Sequence, residues 1–434
     1  MSGRSRHPKP RAVHQLRVKK KYLRFEAVWC FLLPLLTVIR VPLVGTLLAS
    51  DLALFILIPV ILTKSRRFNF RQPFLYPILS LLALWCLVSI VSDFRAHTAV
   101  TDILRSQASF WTFGGYFFVL FVLIDGKKER YTLALFGMAL SMILKNVLGV
   151  SAFGADGFFG VAWKFGNGPA ITIILLIYLE KQRFSRKKQG LFTMIFAFVH
   201  LALNSRSLFL NTFLAGAASF GGLRGLGTVT RTIAGISLIF LTIAIYPIAE
   251  GLYGNLVRSG ALGQEVREKY IMQSQSGLGV LLGGRSESLI SLKAIAEKPF
   301  LGYGSYAKDS SLRMEYFQIK ESLGEDINWN SEFVHRSDLI PTHSFIFSAW
   351  VNHGLIGALF WLFILIISFR AILASVFGFR PSGPLELLCF FWLTWAIFFS
   401  PFGLTQRIFV PIYVCIACIV IMQNVRLPSR RSAQ

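Results

Sequence analysis

Leu355-Ile356-Gly357-Ala358-Leu359-Phe360-Trp361-Leu362-Phe363-Ile364-Leu365-Ile366-Ile367-Ser368-Phe369 forms the greater part of an apolar block spanning 346–369. No charge interrupts it, and it lacks the polar face that a helix keeps when one side meets water. Wound as a helix, a block of this size reaches across the ~30 Å hydrocarbon layer of a membrane. Lipid offers the backbone no hydrogen-bond partners, so the segment must satisfy its own N–H and C=O groups, and a helix does that.

Working outward from this block, similar runs recur along the whole chain. They fall at 27–41, 46–63, 74–92, 108–124, 132–152, 168–180, 190–203, 208–223, 232–252, 384–402 and 407–425. The composition agrees: 54% of the 434 residues are hydrophobic and the mean hydropathy is +0.59, above the roughly 45–50% apolar content of an ordinary globular domain. The expected fold is an all-α, polytopic transmembrane helix bundle of about twelve spans. A soluble protein with buried core helices is the rejected alternative, because too many blocks lack a polar side.

The basic residues set the expected orientation. Cytoplasmic loops are enriched in Lys and Arg. Here Lys and Arg crowd the N-terminal arm 1–25 and recur at Lys64/Arg66/Arg67/Arg71, Lys127/Lys128/Arg130, Lys181/Arg183/Arg186/Lys187/Lys188, Arg370/Arg380 and Arg426/Arg430/Arg431. With twelve spans all these sites share one side. The expected organisation is a basic cytoplasmic arm (1–25), an N-terminal transmembrane bundle of about nine spans (26–252), a large outward loop (253–343), C-terminal spans (344–425) and a cytoplasmic tail (426–434). The formal charge of +24 then reports topology and contact with anionic membrane lipids. A nucleic-acid role is set aside because the charge is spread over many short loops. No cleavage signal is evident, so the first span is expected to be an uncleaved anchor.

Cys30, Cys86, Cys389, Cys415 and Cys418 all lie in apolar blocks and read as small hydrophobes. Cys415 and Cys418 have C-x-x-C spacing but no second pair and no nearby histidine, so no metal or disulfide is expected. No acidic pair or His/Asp cluster suggests a divalent cation, and no cofactor is implied.

The outward loop carries the candidate chemistry. Leu289, Leu292, Ile295 and Ala296 have helical spacing, which predicts a short amphipathic helix over 286–297. Gly283-Gly284 precede it and Pro299 stops it, so Arg285 stands at or just before its start. Gly302 and Gly304 allow a tight turn. The segment 305–340 has no clean period and is a candidate lid over the site. Pro341-Thr342-His343-Ser344 closes the loop, with Thr342 as the expected N-cap, which places His343 in a first helical turn. There the helix dipole favours the neutral imidazole, the form that accepts a proton.

Arg206, in Asn204-Ser205-Arg206-Ser207, joins two apolar blocks on the outer side, against the charge bias of the chain. Lys164, in Trp163-Lys164-Phe165-Gly166-Asn167-Gly168-Pro169, is a further cation on that side. An arginine or histidine at such an edge can merely snorkel or satisfy an interface, but ionisable groups at membrane depth are functional candidates by default. His353 reads as a packing histidine.

These motifs, in this order, resemble the O-antigen ligase and O-antigen polymerase superfamily of bacterial inner-membrane glycosyltransferases. The matching elements are Ser205-Arg206 at a mid-chain helix start, Gly284-Arg285 leading through a helix to Pro299-Phe300-Leu301-Gly302-Tyr303-Gly304, and the run from His343 to Gly354. Gly166-Asn167-Gly168-Pro169 is similar to the family's Asn-Pro-Asn turn. The resemblance covers roughly 160–370 and departs at Ser344 and Asn352, where Asn and Glu are common.

The resemblance implies a GT-C-like bundle in the bacterial inner membrane, with both termini cytoplasmic and the active site periplasmic. It implies a metal-independent, inverting glycosyltransferase whose donor is an undecaprenyl-diphosphate-linked glycan. The acceptor is a hydroxyl of a second glycan (polymerase) or of lipid A–core (ligase), and the reading leans to a polymerase of O-antigen, capsule or exopolysaccharide. A chain-length regulator and a flippase are candidate protein partners. Arg206, Arg285 and Lys164 would hold the diphosphate, since arginine offers a planar fork to phosphate oxygens, and His343 would be the general base. The rival from another class is a polytopic flippase or transporter. Its usual division into six-span halves about a cytoplasmic connector fits poorly with one long outward loop. A purely structural assembly partner is a third reading, and glycan transfer by the purified protein discriminates all three.

Overall fold

The computed structural model describes residues 25–43, 45–63, 72–150, 158–220, 251, 254–255, 257–260, 267, 271, 286–323, 327–329, 331, 334 and 337–425. The basic arm up to residue 24, the Lys64–Arg71 loop, most of the expected span 232–252, Arg285 with its preceding glycines, and the tail from Arg426 lie outside the described residues.

The chain is predominantly helical. The helices are α1 (Phe25–Val38), α2 (Ala49–Thr63), α3 (Leu75–Arg95), α4 (Val100–Ile124), α5 (Lys128–Val147), α6 (Gly168–Lys181), α7 (Arg186–Ala202), α8 (Arg206–Phe220), α9 (Ser286–Glu297), α10 (Ser310–Ser322), α11 (Phe345–His353), α12 (Leu355–Phe377), α13 (Pro384–Phe399) and α14 (Gln406–Val425). Four of them, α3, α4, α12 and α14, are long and apolar enough to cross a membrane by length and composition. Their outward faces carry bulky apolar groups: Phe94 and Trp111 are each 73% exposed. In water so much exposed aromatic surface would be an aggregation liability; a lipid phase is its natural solvent.

Three boundaries differ from the expected ones for identifiable reasons. Between α1 and α2 the chain forms a hairpin, β1 (Arg40–Leu43) against β2 (Gly45–Leu48), antiparallel with Arg40 opposite Leu48. The first expected span therefore ends at Val38 and the second begins at Ala49. Pro42 has no N–H to continue a helix and sits in an edge strand instead. The block 346–369 is two helices broken at Gly354, whose φ of 70° and ψ of −156° belong to a region open essentially to glycine alone. The segment 305–340 contains α10, capped by Asp309, whose side chain accepts from the Leu312 N–H. Leu312, Tyr316 and Phe317 are buried along its inner face.

Two cores result. The larger runs through the bundle and centres on Tyr116, Phe117, Phe121, Trp361 and Phe390. The smaller joins the outer segment to the bundle: Ile290 and Ala294 of α9, Tyr303, Leu312 and Phe317 of α10, Ile340 and Val351 of α11. Phe345 and Ala349 face the first core while Val351 faces the second, so α11 joins them.

Helix polarity fixes two ends of the bundle. Gly190 of α7 abuts Gly216 of α8, which makes the pair antiparallel. Gly383, just before α13, lies beside Gln189 at the start of α7. Lys128 at the start of α5 pairs with both Glu180, near the end of α6, and Glu386, in the first turn of α13. The starts of α5, α7 and α13 and the ends of α6 and α8 thus share one end. There Lys127, Lys128, Arg130, Lys181 and Arg183 gather. The opposite end holds the candidate chemistry.

Candidate functional site

Arg206 is the first residue of α8 and is half-buried. The left-handed Asn204 (φ 55°) turns the chain out of α7, and the Ser205 N–H donates to the His200 carbonyl at 2.8 Å. This delivers Arg206 to the end of the bundle away from the Lys127–Arg130 cluster. Lys164 stands on a π-helical turn, Trp163–Asn167, that runs into α6 with Pro169 in its first turn. Its ammonium lies 5.0 Å from the Phe165 ring centroid. Trp163 Nε1–H donates to His200 Nδ1 at 3.2 Å, and a Cβ on Gly168 would meet Leu208 at 3.0 Å. The Lys164 turn and the Arg206 turn therefore pack side by side.

His343 reaches the same end. Ser344, not Thr342, is the N-cap of α11: its hydroxyl oxygen accepts from the Phe347 N–H at 3.2 Å and its O–H donates to the Ile397 carbonyl, near the end of α13, at 2.8 Å. The Ser344 hydroxyl thus anchors both the start of α11 and the end of α13. His343 lies one residue before this cap and is exposed. It is outside the first helical turn, so the dipole argument for its neutral form does not carry over. What fixes its approach is a strand-like pairing upstream: Ile340 N–H donates to the Ala307 carbonyl and Asp309 N–H to the Asp338 carbonyl, each at 2.9 Å.

Arg285 falls outside the described residues. The helix it precedes runs over Ser286–Glu297, as the spacing predicts. Ser291 donates to the Pro341 carbonyl at 3.4 Å, and about 1.5 Å of rise per residue puts the α9 start roughly 8 Å along the axis from that contact. The α9 start and the His343 segment are thus neighbours.

The glycine turn and the His343–Gly354 run, separate in sequence, clasp one another. Tyr303 N–H donates to the Val351 carbonyl and Gly304 N–H to the Asn352 carbonyl, each at 2.8 Å; Leu355 N–H returns to the Phe300 carbonyl at 3.2 Å. Trp350 Nε1–H donates to the Pro299 carbonyl at 2.8 Å. A Cβ at Gly302 would lie 2.5 Å from the Val351 carbonyl oxygen, and one at Gly354 would lie 2.0 Å from that of Phe300. Asn352 accepts from the Ala307 N–H through its side chain at 3.2 Å.

Beneath this clasp lies a chain of buried polar groups that the sequence reading did not connect. Asp93 of α3 accepts from the Ser305 N–H at 2.5 Å and from the Ser305 hydroxyl at 2.9 Å. Ser305 Oγ lies 3.0 Å from His353 Nε2, and Trp85 Nε1–H donates to His353 Nδ1 at 3.2 Å. Since the indole can only donate, Nδ1 is the acceptor and Nε2 carries the proton, which passes the hydrogen-bond direction through Ser305 to Asp93. His353 is 3% exposed and Asp93 fully buried, so this network braces the clasp rather than meeting a ligand. It confirms His353 as a packing histidine. Lys308 adds an ion pair to Asp102 at the start of α4, 2.9 Å.

In the outer segment, partial burial alone would raise the Asp309 carboxyl. Hydrogen bonds from the Ser311 hydroxyl and from the Leu312 and Ser311 N–H groups, with the nearby Lys298 charge, outweigh it and hold the group below its usual range. Burial and the Glu297 carboxylate, which accepts from it at 2.6 Å, push the Tyr303 phenol up.

No family model matches the chain. No curated protein matches it significantly.

Proposed function

We propose that the chain is a membrane glycosyltransferase that moves a polyprenyl-diphosphate-linked glycan onto an acceptor hydroxyl, and that it acts as a polymerase in the assembly of a surface polysaccharide. The observation that carries this reading is the convergence at one end of the bundle. Arg206, Lys164 and the exposed His343 share that end, and the clasped glycine turn and α11 support it. In this reading Arg206, with Arg285 preceding α9 and with Lys164, grips the diphosphate. Arginine's planar fork suits paired phosphate oxygens, and it stabilises the charge that builds as the diphosphate leaves.

His343 takes the proton of the attacking hydroxyl. The hydroxyl oxygen bonds to the anomeric carbon, the carbon–oxygen bond to the diphosphate breaks, and the sugar inverts. Exposure of His343 suits this task, because an acceptor glycan must reach it from outside the bundle. The crowding of basic residues at the far end supports placing that end in the bacterial cytoplasm and the site in the periplasm.

The test is glycan transfer by the purified protein from a synthetic lipid-diphosphate donor, together with polysaccharide profiles of a deletion strain. Single-repeat products in the deletion strain support a polymerase. Lipid-linked polymer beside bare lipid A–core would assign a ligase instead, and absence of transfer to either acceptor by the well-folded protein would reject the glycosyltransferase reading.

A further inference from the structure

We infer that Arg40 and Lys145 form a second anion-binding pair at the site end of the bundle, suited to a diphosphate group. Lys145 lies in the last turn of α5 and is half-buried. Its ammonium stands 5.5 Å from the ring centroid of Phe409 on α14. Arg40 opens β1 and is exposed. α1 runs alongside α5 in the same direction, with Glu26 paired to Arg130 and the Phe31 carbonyl lying against Gly137, so the chain leaving α1 at Arg40 comes to the end of α5 that carries Lys145. The like charges are held together without a carboxylate partner among the described residues. The nearby acid at the start of α2, Asp51, is already committed: it pairs with Arg407, accepts from the Tyr116 hydroxyl at 2.8 Å and from the Leu48 N–H at 2.9 Å.

Two neighbouring cations at a membrane edge repel, and the low dielectric beside them strengthens the repulsion. A bound anion reverses that sign, while the Phe409 face eases the burial of Lys145 in its absence. The next residue, Asn146, donates to Asn167 Oδ1 at 3.0 Å and to the Ala162 carbonyl at 3.4 Å. Lys145 therefore adjoins the turn that carries Lys164, and the pair extends the cationic surface from α6 to the hairpin. A point charge beside a planar fork fits a group with oxygens on two phosphorus atoms better than a single carboxylate. The ligand class is a diphosphate, carried on a lipid or free. The inference rests on the proposed donor chemistry for its biological meaning but on its own residues for its existence.

The test uses the full chain in nanodiscs of zwitterionic lipid, with farnesyl diphosphate, inorganic diphosphate and farnesol as probes. Farnesyl diphosphate should bind and farnesol should not. Arg40→Ala and Lys145→Ala should each weaken binding about tenfold, the loss expected for one charged hydrogen-bonding group, and Lys145→Arg should retain most of it. Lys145→Gln and the melting temperature of each unliganded variant separate lost binding from lost folding. Tighter binding of farnesyl than of inorganic diphosphate assigns the lipid-borne source, and equal binding assigns a soluble anion. Wild-type affinity in Arg40→Ala, Lys145→Ala and Lys145→Gln overturns the pair, even if Arg206→Ala binds weakly and transfer proceeds. Weakened binding in those variants with no glycan transfer by the wild type keeps the pair and removes the transferase reading.

Discussion

Two histidines ten residues apart have opposite environments, and substitution should separate them. His343 is exposed ahead of the α11 cap, with no packed core around it. His343→Ala is expected to leave the melting temperature nearly unchanged and to lower transfer by roughly 10²–10⁴, the usual contribution of a positioned acid or base. His343→Gln should be as inactive, because it can hydrogen-bond but cannot take the proton; near-normal transfer by that variant would show His343 to be a positioning group only. His353 is the reverse case. Asp93→Ala strands the Ser305 N–H and hydroxyl beneath the clasp, and each unmet buried donor costs about 1–3 kcal/mol. Thermal unfolding in detergent should register that loss before any change in diphosphate binding. For Arg206, lysine should restore only part of the binding that alanine removes, since the planar fork is missing; full transfer by Arg206→Ala at normal expression would exclude its proposed role.

At the scale of elements, the clasp between the glycine turn and α11 makes the sharpest demand. Gly354→Ala puts a methyl group against the Phe300 carbonyl in a backbone conformation alanine rarely adopts, a cost of about 1–3 kcal/mol or more. Gly403→Ala, with nothing within 4 Å, is the control that should melt like wild type. The cap of α10 supplies a pH signature. Because the folded Asp309 carboxyl titrates below its usual value, its stabilisation is fully present above the unfolded pKa of about 3.9. It is lost as the pH falls through the lower, folded value. Amide exchange in α10 should quicken over that acidic window, and Asp309→Asn, which keeps a cap, should abolish the dependence. Much of this was legible in the chain. The spacing of Leu289, Leu292 and Ile295 predicted α9, Gly302 and Gly304 predicted the turn, and Ser205-Arg206 marked the start of α8. The break at Gly354 was hidden inside an apolar block because hydropathy does not register one backbone angle. α10 was not legible within 305–340, because dense charges around Leu312 and Tyr316 mask the period and the Asp309 cap shows only once its side chain meets the Leu312 N–H. The Asp93–Ser305–His353 chain was not legible at all, since its members belong to three distant segments that only tertiary packing joins.

For the whole molecule, the division of charge between two ends is the feature with the widest consequence. Lys127, Lys128, Arg130, Lys181 and Arg183 gather where α5 and α7 begin, while Arg206, Lys164 and His343 lie where α7 ends and α8 begins. Helix polarity alone fixes this division; the sign of the membrane face comes from the rule that basic loops stay in the cytoplasm. A single cysteine at Ser310, exposed at the start of α10, tests it in a background where the five buried native cysteines are shielded from a polar reagent. Labelling of Ser310→Cys in intact cells by a membrane-impermeant maleimide, and of Lys187→Cys only after permeabilisation, is the expected pattern. The reverse pattern would put the proposed site in the cytoplasm, where an acceptor glycan exported to the cell surface could not reach it. It would remove the transferase mechanism while leaving the fold intact. The same pair of labels bears on Arg40 and Lys145, because a lipid-borne diphosphate donor presented from outside must meet them on the Ser310 side.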